Sequence, residues 1–218
     1  MLTYEAIRQD PEIRCYIEKA DASVASLGYT EHSFAHVGVS ADRCRYILET
    51  LNYDARTVEL AQIAAWLHDI GNLVNRVSHS QSGALMAFYL LRERGMDPAE
   101  IADIVAAIGN HDEGTGTPVS PIAAALILAD KSDVRRNRVR PDAKEYDIHD
   151  RVNYSVRESE LKINGEHKFI KLKLSVDTRY GSVMDYFEIF MERMLMCRRA
   201  AESLGLQFKL IINEQTLL

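Results

Sequence analysis

The sequence predicts a mainly α-helical fold: a helical bundle over residues 1–145, followed by a small C-terminal α+β unit of β-β-α-β order over residues 146–218. Three observations carry this expectation. A capping residue followed by proline, the pattern that opens helices, occurs at Asp10-Pro11, Asp97-Pro98 and Ser120-Pro121. Glycines such as Gly28 and Gly95 end apolar runs of helical period in the same region. From about residue 150 the period of the apolar residues changes from that of a helix to that of a strand.

Taken in order, Ile13, Ile17, Ala20, Val24 and Leu27 recur in steps of three and four behind Asp10-Pro11, which gives an amphipathic helix of about four turns. Further helices are expected at roughly 31–51, 55–68, 80–94, 98–109 and 121–138. Val152, Tyr154 and Val156 then alternate with polar residues, as do Ile170, Leu172, Leu174 and Val176, with Asn164-Gly165 between them reading as a hairpin turn. Ser182 to Leu204 returns to helical spacing, and its stripe of Met184, Phe187, Met191, Met194 and Leu195 is expected to pack the core. Leu206, Phe208, Leu210 and Ile212 form a last strand, so that the helix covers one face of a small sheet.

A chain of 218 residues buries enough apolar surface to fold without a disulfide or a structural metal, so any metal site calls for another explanation. The longest apolar run, Ile122 to Ala129, is eight residues, too short to span a bilayer. The N-terminus does not read as a secretion signal, and Cys15, Cys44 and Cys197 give no disulfide framework, which points to a reducing cytoplasm. A net charge of −6 argues against polymeric nucleic acid and anionic membranes as partners.

The chemistry-bearing residues stand out by context. His68-Asp69 closes the apolar helix Ala61 to Leu67 and is followed at once by Ile70-Gly71; adjacent imidazole and carboxylate at a helix end can both reach one metal ion. His36, His79 and His111 lie at or near the ends of separate helices. Asp130 interrupts the apolar helix, and a carboxylate there must be paired or bound to metal. Plainer readings stand beside this one. His36 and His79 each read alone as hydrogen-bonded histidines, Asp130 as the partner of an arginine, and His111 as part of an ordinary turn. If the helix runs to residue 138, Asp133, Asn137 and Arg138 share the face of Asp130, and Arg135, Arg136, Arg138 and Arg140 form a basic cluster suited either to phosphate or to a solvated helix end.

The order His36, His68-Asp69, Asp130 resembles the H…HD…D signature of the HD-domain metal-dependent phosphohydrolases. Trp66-Leu67-His68-Asp69-Ile70-Gly71 and Ile127-Leu128-Ala129-Asp130-Lys131-Ser132-Asp133 look like two of that family's conserved segments, and the likeness covers about residues 30–140. His79 and His111 resemble the additional ligands of binuclear members, which include HD-GYP phosphodiesterases and HD-type diadenosine tetraphosphatases. Three positions depart from the HD-GYP pattern: Asn72 stands for lysine, Asn110 for histidine, and Thr117-Pro118 for Tyr-Pro.

The resemblance implies an HD-domain helical bundle in which His36, His68, Asp69 and Asp130 hold one ion and Asp69, also the catalytic residue, bridges to a second held by His79 and His111. It implies two divalent transition-metal ions, iron first, with manganese, cobalt and nickel as alternatives, and hydrolysis of a phosphoester or phosphoanhydride in a nucleotide-like small molecule by metal-activated water. Lys131, Asp133, Arg136 and Arg138 are the expected substrate-binding residues. Two other functions are compatible with the same signature, a di-iron oxygenase and a noncatalytic nucleotide sensor. A strand edge of the C-terminal unit offers a route to a homodimer.

Overall fold

The computed structural model describes residues 1–140 and 148–217, so the expected boundary between residues 145 and 146 lies outside the described residues. The helical part runs α1 (Tyr4–Gln9), α2 (Pro11–Ser26), α3 (Phe34–Thr50), α4 (Ala55–Leu67), α5 (His79–Glu93), α6 (Pro98–Gly109) and α7 (Pro121–Lys131), with short 3-10 turns at Ile70–Leu73 and Arg136–Arg138. The three capping-residue–proline pairs open α2, α6 and α7. Asp10, Asp97 and Ser120 each accept hydrogen bonds from backbone N–H groups of the following turn, which have no partner inside the helix.

α7 explains the architecture. Ile122 through Ala129 are buried on every side, as expected of a helix that is apolar all round. Its neighbours are α3, α4, α6 and, from the C-terminal unit, α9 (Val183–Ser203). The end of α7 therefore lies where the helical part and the C-terminal unit meet.

The C-terminal unit comprises α8 (Ile148–Ser155), β1 (Val156–Ile163), β2 (Phe169–Val176), α9, β3 (Gln207–Ile212) and β4 (Gln215–Thr216). The strands lie in the order β1-β2-β3-β4; β1 and β2 are antiparallel, β2 and β3 parallel through the α9 crossover, and β3 and β4 antiparallel. Ile170, Leu172, Leu174 and Val176 alternate inward beside Phe208, Leu210 and Ile212, matching the predicted β-β-α-β unit. The edge strand β4 adds to it.

Several local expectations are corrected. Val152 and Tyr154 belong to α8 and the strand begins only at Val156; an alternation of three apolar residues is too short to separate strand from helix. The Asn164-Gly165 turn is longer than two residues: Asn164 Oδ1 accepts from the N–H groups of Lys168 and Phe169, and His167 takes the left-handed conformation at φ 52°. Met184 and Met191 are 74% and 42% exposed, while Tyr186, Phe190, Met194, Met196 and Cys197 form the buried surface of α9. That helix packs on β3 and β2 and on α7, so a single apolar stripe does not describe it. The helix expected to reach residue 138 stops at Lys131. Ser132 turns its hydroxyl back to the Ala129 carbonyl, and the chain leaves the helix with Asp133 beside His36. Asp133 and Arg138 thus do not continue the helical face of Asp130.

Candidate metal centre

Helix ends bring the polar side chains together. His36 sits in the first turn of α3, which is capped by Ser33. His68 and Asp69 follow the last residue of α4, His79 opens α5, His111 follows α6, and Asp130 lies in the last turn of α7. Two glycines set these approaches. A Cβ on Gly71 would stand 2.0 Å from the His79 carbonyl oxygen and 2.4 Å from the Gly83 nitrogen, so glycine lets α5 close on the turn after His68-Asp69. A Cβ on Gly116 would stand 2.2 Å from the Asn110 carbonyl oxygen and 2.6 Å from Met196, so glycine also permits the fold of the segment that carries His111 against α9.

Each of these four histidines is held by Nδ1 and aims Nε2 at a common centre. His68, His79 and His111 direct Nδ1 to the carbonyl three residues earlier, on Ala65, Arg76 and Ile108, at 2.7, 3.1 and 2.6 Å. His36 Nδ1 is 2.8 Å from Asp133 Oδ2. These oxygens only accept, so Nδ1 carries the proton and Nε2 presents its lone pair. That orientation leaves buried acceptors facing one another. The Nε2 atoms of His79 and His111 are 3.2 Å apart, and the buried Nε2 atoms of His36 and His68 have no hydrogen-bond partner. Buried polar atoms without partners are costly, and a cation among them supplies what they lack.

The two carboxylates complete the cluster. Asp69 Oδ2 is 3.3 Å from His68 Nε2 and 3.6 Å from His36 Nε2, while its Oδ1 is 3.5 Å from His79 Nε2. Asp130 Oδ1 is 3.2 Å from His36 Nε2 and 3.7 Å from His68 Nε2. His36, His68 and Asp130 can hold one ion, and His68, Asp69 and His111 form a second overlapping group. Burial works to raise both carboxyls, but His68 outweighs it at Asp69, and Lys131 with His36 and His68 outweighs it at Asp130; both stay well below the usual range. Burial likewise works against a charge on His68, yet in the metal-free protein Asp69 and Asp130 carry it up to about 10, which puts a second proton on Nε2; a metal ion there would take that proton's place and leave the lone pair as the donor. His79 and His111, chiefly desolvated, are held below the ordinary histidine value. The donor set of imidazoles and carboxylates fits divalent transition metals.

Of the expected substrate-binding residues, Lys131 is buried beside the centre, with Nζ 2.8 Å from Asp130 Oδ2 and 3.0 Å from Glu113 Oε2. Asp133 holds His36. Arg138 is buried and donates to the carbonyls of Glu31 and Asp133. Arg136 is turned to the C-terminal unit, where it donates to the Tyr154 carbonyl and lies over the Tyr154 ring.

Other residues have no sequence signal of comparable strength. Asn72 donates to Asp69 Oδ1 at 3.0 Å, and Arg76 Nη1 reaches the Asn72 side-chain oxygen at 3.2 Å and lies 3.8 Å from Asp69. Arg193 of α9 stands 2.5 Å from Glu113, so a chain of charges runs from the C-terminal unit through Glu113 and Lys131 to Asp130. Asn72 was visible only as a departure from a motif. Arg193 lies on a helix far along the chain, and nothing in its neighbours marks it.

A cavity of about 150 Å³ is lined from the helical part by His32, Arg76 and Arg138 and from the C-terminal unit by Asn153, Phe190 and Arg193, among others; His32 and Arg76 stand between it and the cluster, against His36 and Asp69. Among the described residues no helix is long and apolar enough to cross a membrane.

Comparison with known proteins gives a consistent picture. An uncharacterized protein, MJ1020 of Methanocaldococcus jannaschii, is 24% identical over 208 residues, covering 83% of this chain and 78% of that protein. No solved structure matches the chain. Residues 32–137, which carry all six converging donors, match the family model described as HD domain. This part of the chain belongs to the HD-domain superfamily of metal-dependent phosphohydrolases.

Proposed function

We propose that the protein is a metal-dependent phosphohydrolase with a binuclear centre, acting on a phosphoester or phosphoanhydride of a nucleotide-like small molecule. The observation that carries this reading is the convergence of six donors whose histidines are all held by Nδ1 and aimed by Nε2, with the buried Nε2 atoms of His36 and His68 making no hydrogen bond. His36, His68, Asp69 and Asp130 would hold one ion; His79 and His111 would hold a second, with Asp69 reaching both. Iron is the first choice, with manganese, cobalt and nickel suited to the same donors. Two such ions would lower the pKa of a bound water and neutralise phosphate oxygens.

The chain's own residues prepare the site for this chemistry. Asp69 presents Oδ2 to one half of the cluster and Oδ1 to the other, which is the reason to assign it the bridging, catalytic position. Asn72 and Arg76 fix its orientation, and Lys131 occupies the second oxygen of Asp130 so that Oδ1 faces His36. Asp133 and the three carbonyls lock the imidazole tautomers, a device that also increases ligand basicity. A water nucleophile suits the cysteines: burial pushes the Cys44 thiol up and the Cys197 thiol to about 12, far from the reactive thiolate range. Free cysteines also suit a cytoplasmic enzyme.

Metal analysis of aerobically and anaerobically purified protein, followed by a phosphate-release screen across nucleotides with added manganese, tests the reading. About two ions per chain and turnover are expected. The His68→Ala/Asp69→Ala double variant should lose both. Undiminished turnover in that variant, free of metal, would overturn the proposal.

A further inference from the structure

The cavity beside the centre has a charge pattern that the hydrolysis of a simple phosphomonoester does not need. Arg76, Arg138 and Arg193 line it, and Asp150 is the one acidic residue among the described residues that line it. Each guanidinium is fixed. Arg138 is buried and tied to the Glu31 and Asp133 carbonyls. Arg76 lies over the Tyr29 ring and is anchored at Asn72. Arg193 lies over the Phe190 ring and is anchored at Glu113. The acidic neighbours of the last two are already shared: Glu113 also holds Lys131, and Asp69 faces three histidines. Cations arranged in this way around a small enclosed space attract an anion, and pre-fixed guanidiniums bind phosphoryl oxygens with little loss of side-chain freedom.

Position and size narrow the choice. His32 meets His36 edge-on at 5.7 Å between ring centroids, Arg76 approaches Asp69, and Arg193 connects through Glu113 and Lys131 to Asp130, so two of the residues lining the cavity touch the cluster directly and a third reaches it through a relay. A volume of about 150 Å³ admits a group the size of a benzene ring. The aromatic faces nearest the space, those of Tyr29 and Phe190, already carry guanidiniums, which leaves them poorly placed to stack a nucleobase.

We infer that this cavity is a subsite for a second phosphoryl group of the substrate, half of it supplied by the C-terminal unit through Arg193. The enzyme then acts on small molecules bearing two phosphoryl groups, as a diphosphate or a bisphosphate, in preference to monophosphates. This rests on the phosphohydrolase reading for its substrate but not for its anion site, and the two fail separately.

Calorimetric titration of dialysed, metal-free protein with inorganic phosphate reads the subsite alone. Binding is expected in the wild type and in the His68→Ala/Asp69→Ala variant, weakened about tenfold by Arg193→Gln or Arg76→Gln and partly restored by Arg193→Lys. Thermal melts identify any variant that fails to fold, and the Arg76→Gln and Arg193→Gln substitutions on opposite walls serve as checks on each other. In the metal-loaded enzyme, kcat/KM for a nucleoside diphosphate should exceed that for the monophosphate by about tenfold or more, and the ratio should collapse in Arg193→Gln. No phosphate binding to the metal-free wild type, binding indifferent to both arginine substitutions, or equal kcat/KM for the two substrates overturns the inference. Arginine-dependent phosphate binding in a protein that takes up no metal and releases no phosphate would overturn the hydrolase reading and leave the anion site standing.

Discussion

The helical part and the C-terminal unit meet at one site but contribute to it in opposite ways. The helical part supplies all six converging donors, each at or near a helix end whose direction is set by a cap, a glycine or a backbone carbonyl. The C-terminal unit supplies none of them. Its contribution is made by side chains of α8 and α9, above all Arg193, which reach across to Glu113 and line the adjoining cavity. One region builds the centre through its backbone, and the other adjusts its surroundings through single side chains. Changes in the first should therefore damage metal binding and folding together, while changes in the second should alter recognition.

The largest effect on the backbone-built side is expected from Gly71→Ala. The added methyl has no room against the His79 carbonyl, the Gly83 nitrogen and Ser82 Oγ, so α5 must move away and take His79 with it. Overpacking typically costs about 1–3 kcal/mol, and contacts this short against backbone atoms place Gly71→Ala at the upper end of that range, about 3 kcal/mol. Denaturant unfolding should show that loss, and metal analysis of the surviving folded protein should show depletion of the ion that His79 would hold. A variant that kept full stability and metal content would mean that the close approach of α5 is not what sets the centre.

Asp133→Ala tests the next level, a residue that orients a donor without joining the cluster. His36 Nδ1 loses the carboxylate that accepts from it, and its ring is no longer fixed. Loss of such a partner typically weakens metal affinity about 10- to 100-fold. Competition with a chelator of known affinity measures it, and an unchanged affinity would show that packing alone holds the ring.

These two residues also show what a sequence can and cannot reveal. The pairs Asp10-Pro11, Asp97-Pro98 and Ser120-Pro121 marked three helix starts because capping is a local property, read within four residues. His36, His68, Asp69, His79, His111 and Asp130 formed a set in the sequence only through the resemblance to the HD-domain signature, since His36, His79 and His111 read alone as ordinary histidines and each helix end carries no trace of the others. Asp133 was singled out for a helical face that does not exist, since the chain leaves the helix after Lys131. Glu113 and Arg193 were not legible at all: their pairing depends on α9 packing against α7, a long-range contact with no local trace. The assignment of Val152 and Tyr154 to a strand failed because a few alternating residues suit either structure.

Asp10 offers a smaller effect with a pH dependence. Its Oδ1 caps α2 by accepting from the N–H groups of Glu12 and Ile13, and its Oδ2 accepts from Arg94 Nε at 2.7 Å, which ties α2 to the far end of the helix that His79 opens. The Arg94 hydrogen bond, joined by the cap, lowers the Asp10 carboxyl below its ordinary value. A depressed carboxyl stabilises the fold above its unfolded pKa and loses that contribution as pH falls through the folded value. Asp10→Ala should therefore cost about 1 kcal/mol at neutral pH, and the difference from wild type should shrink as the pH drops below about 4. A difference independent of pH would assign the effect to lost packing.

The smallest effect is expected at Met184 of α9, and its contrast with Met194 on the same helix separates pattern from position most sharply. Met184 and Met194 both belong to the stripe that the sequence suggests as core. Met184 is exposed, whereas Met194 is fully buried and accepts a hydrogen bond from the Tyr186 hydroxyl at its sulfur. Met184→Gln should change stability by less than about 0.5 kcal/mol, as surface substitutions do, because no apolar surface leaves the interior. Met194→Gln places an amide where the surroundings are apolar and should cost about 2 kcal/mol or more. Paired denaturant titrations give both values on one scale. Equal losses would mean that α9 is covered on its outer face as well, and with it that the C-terminal unit has a partner on the side away from α7.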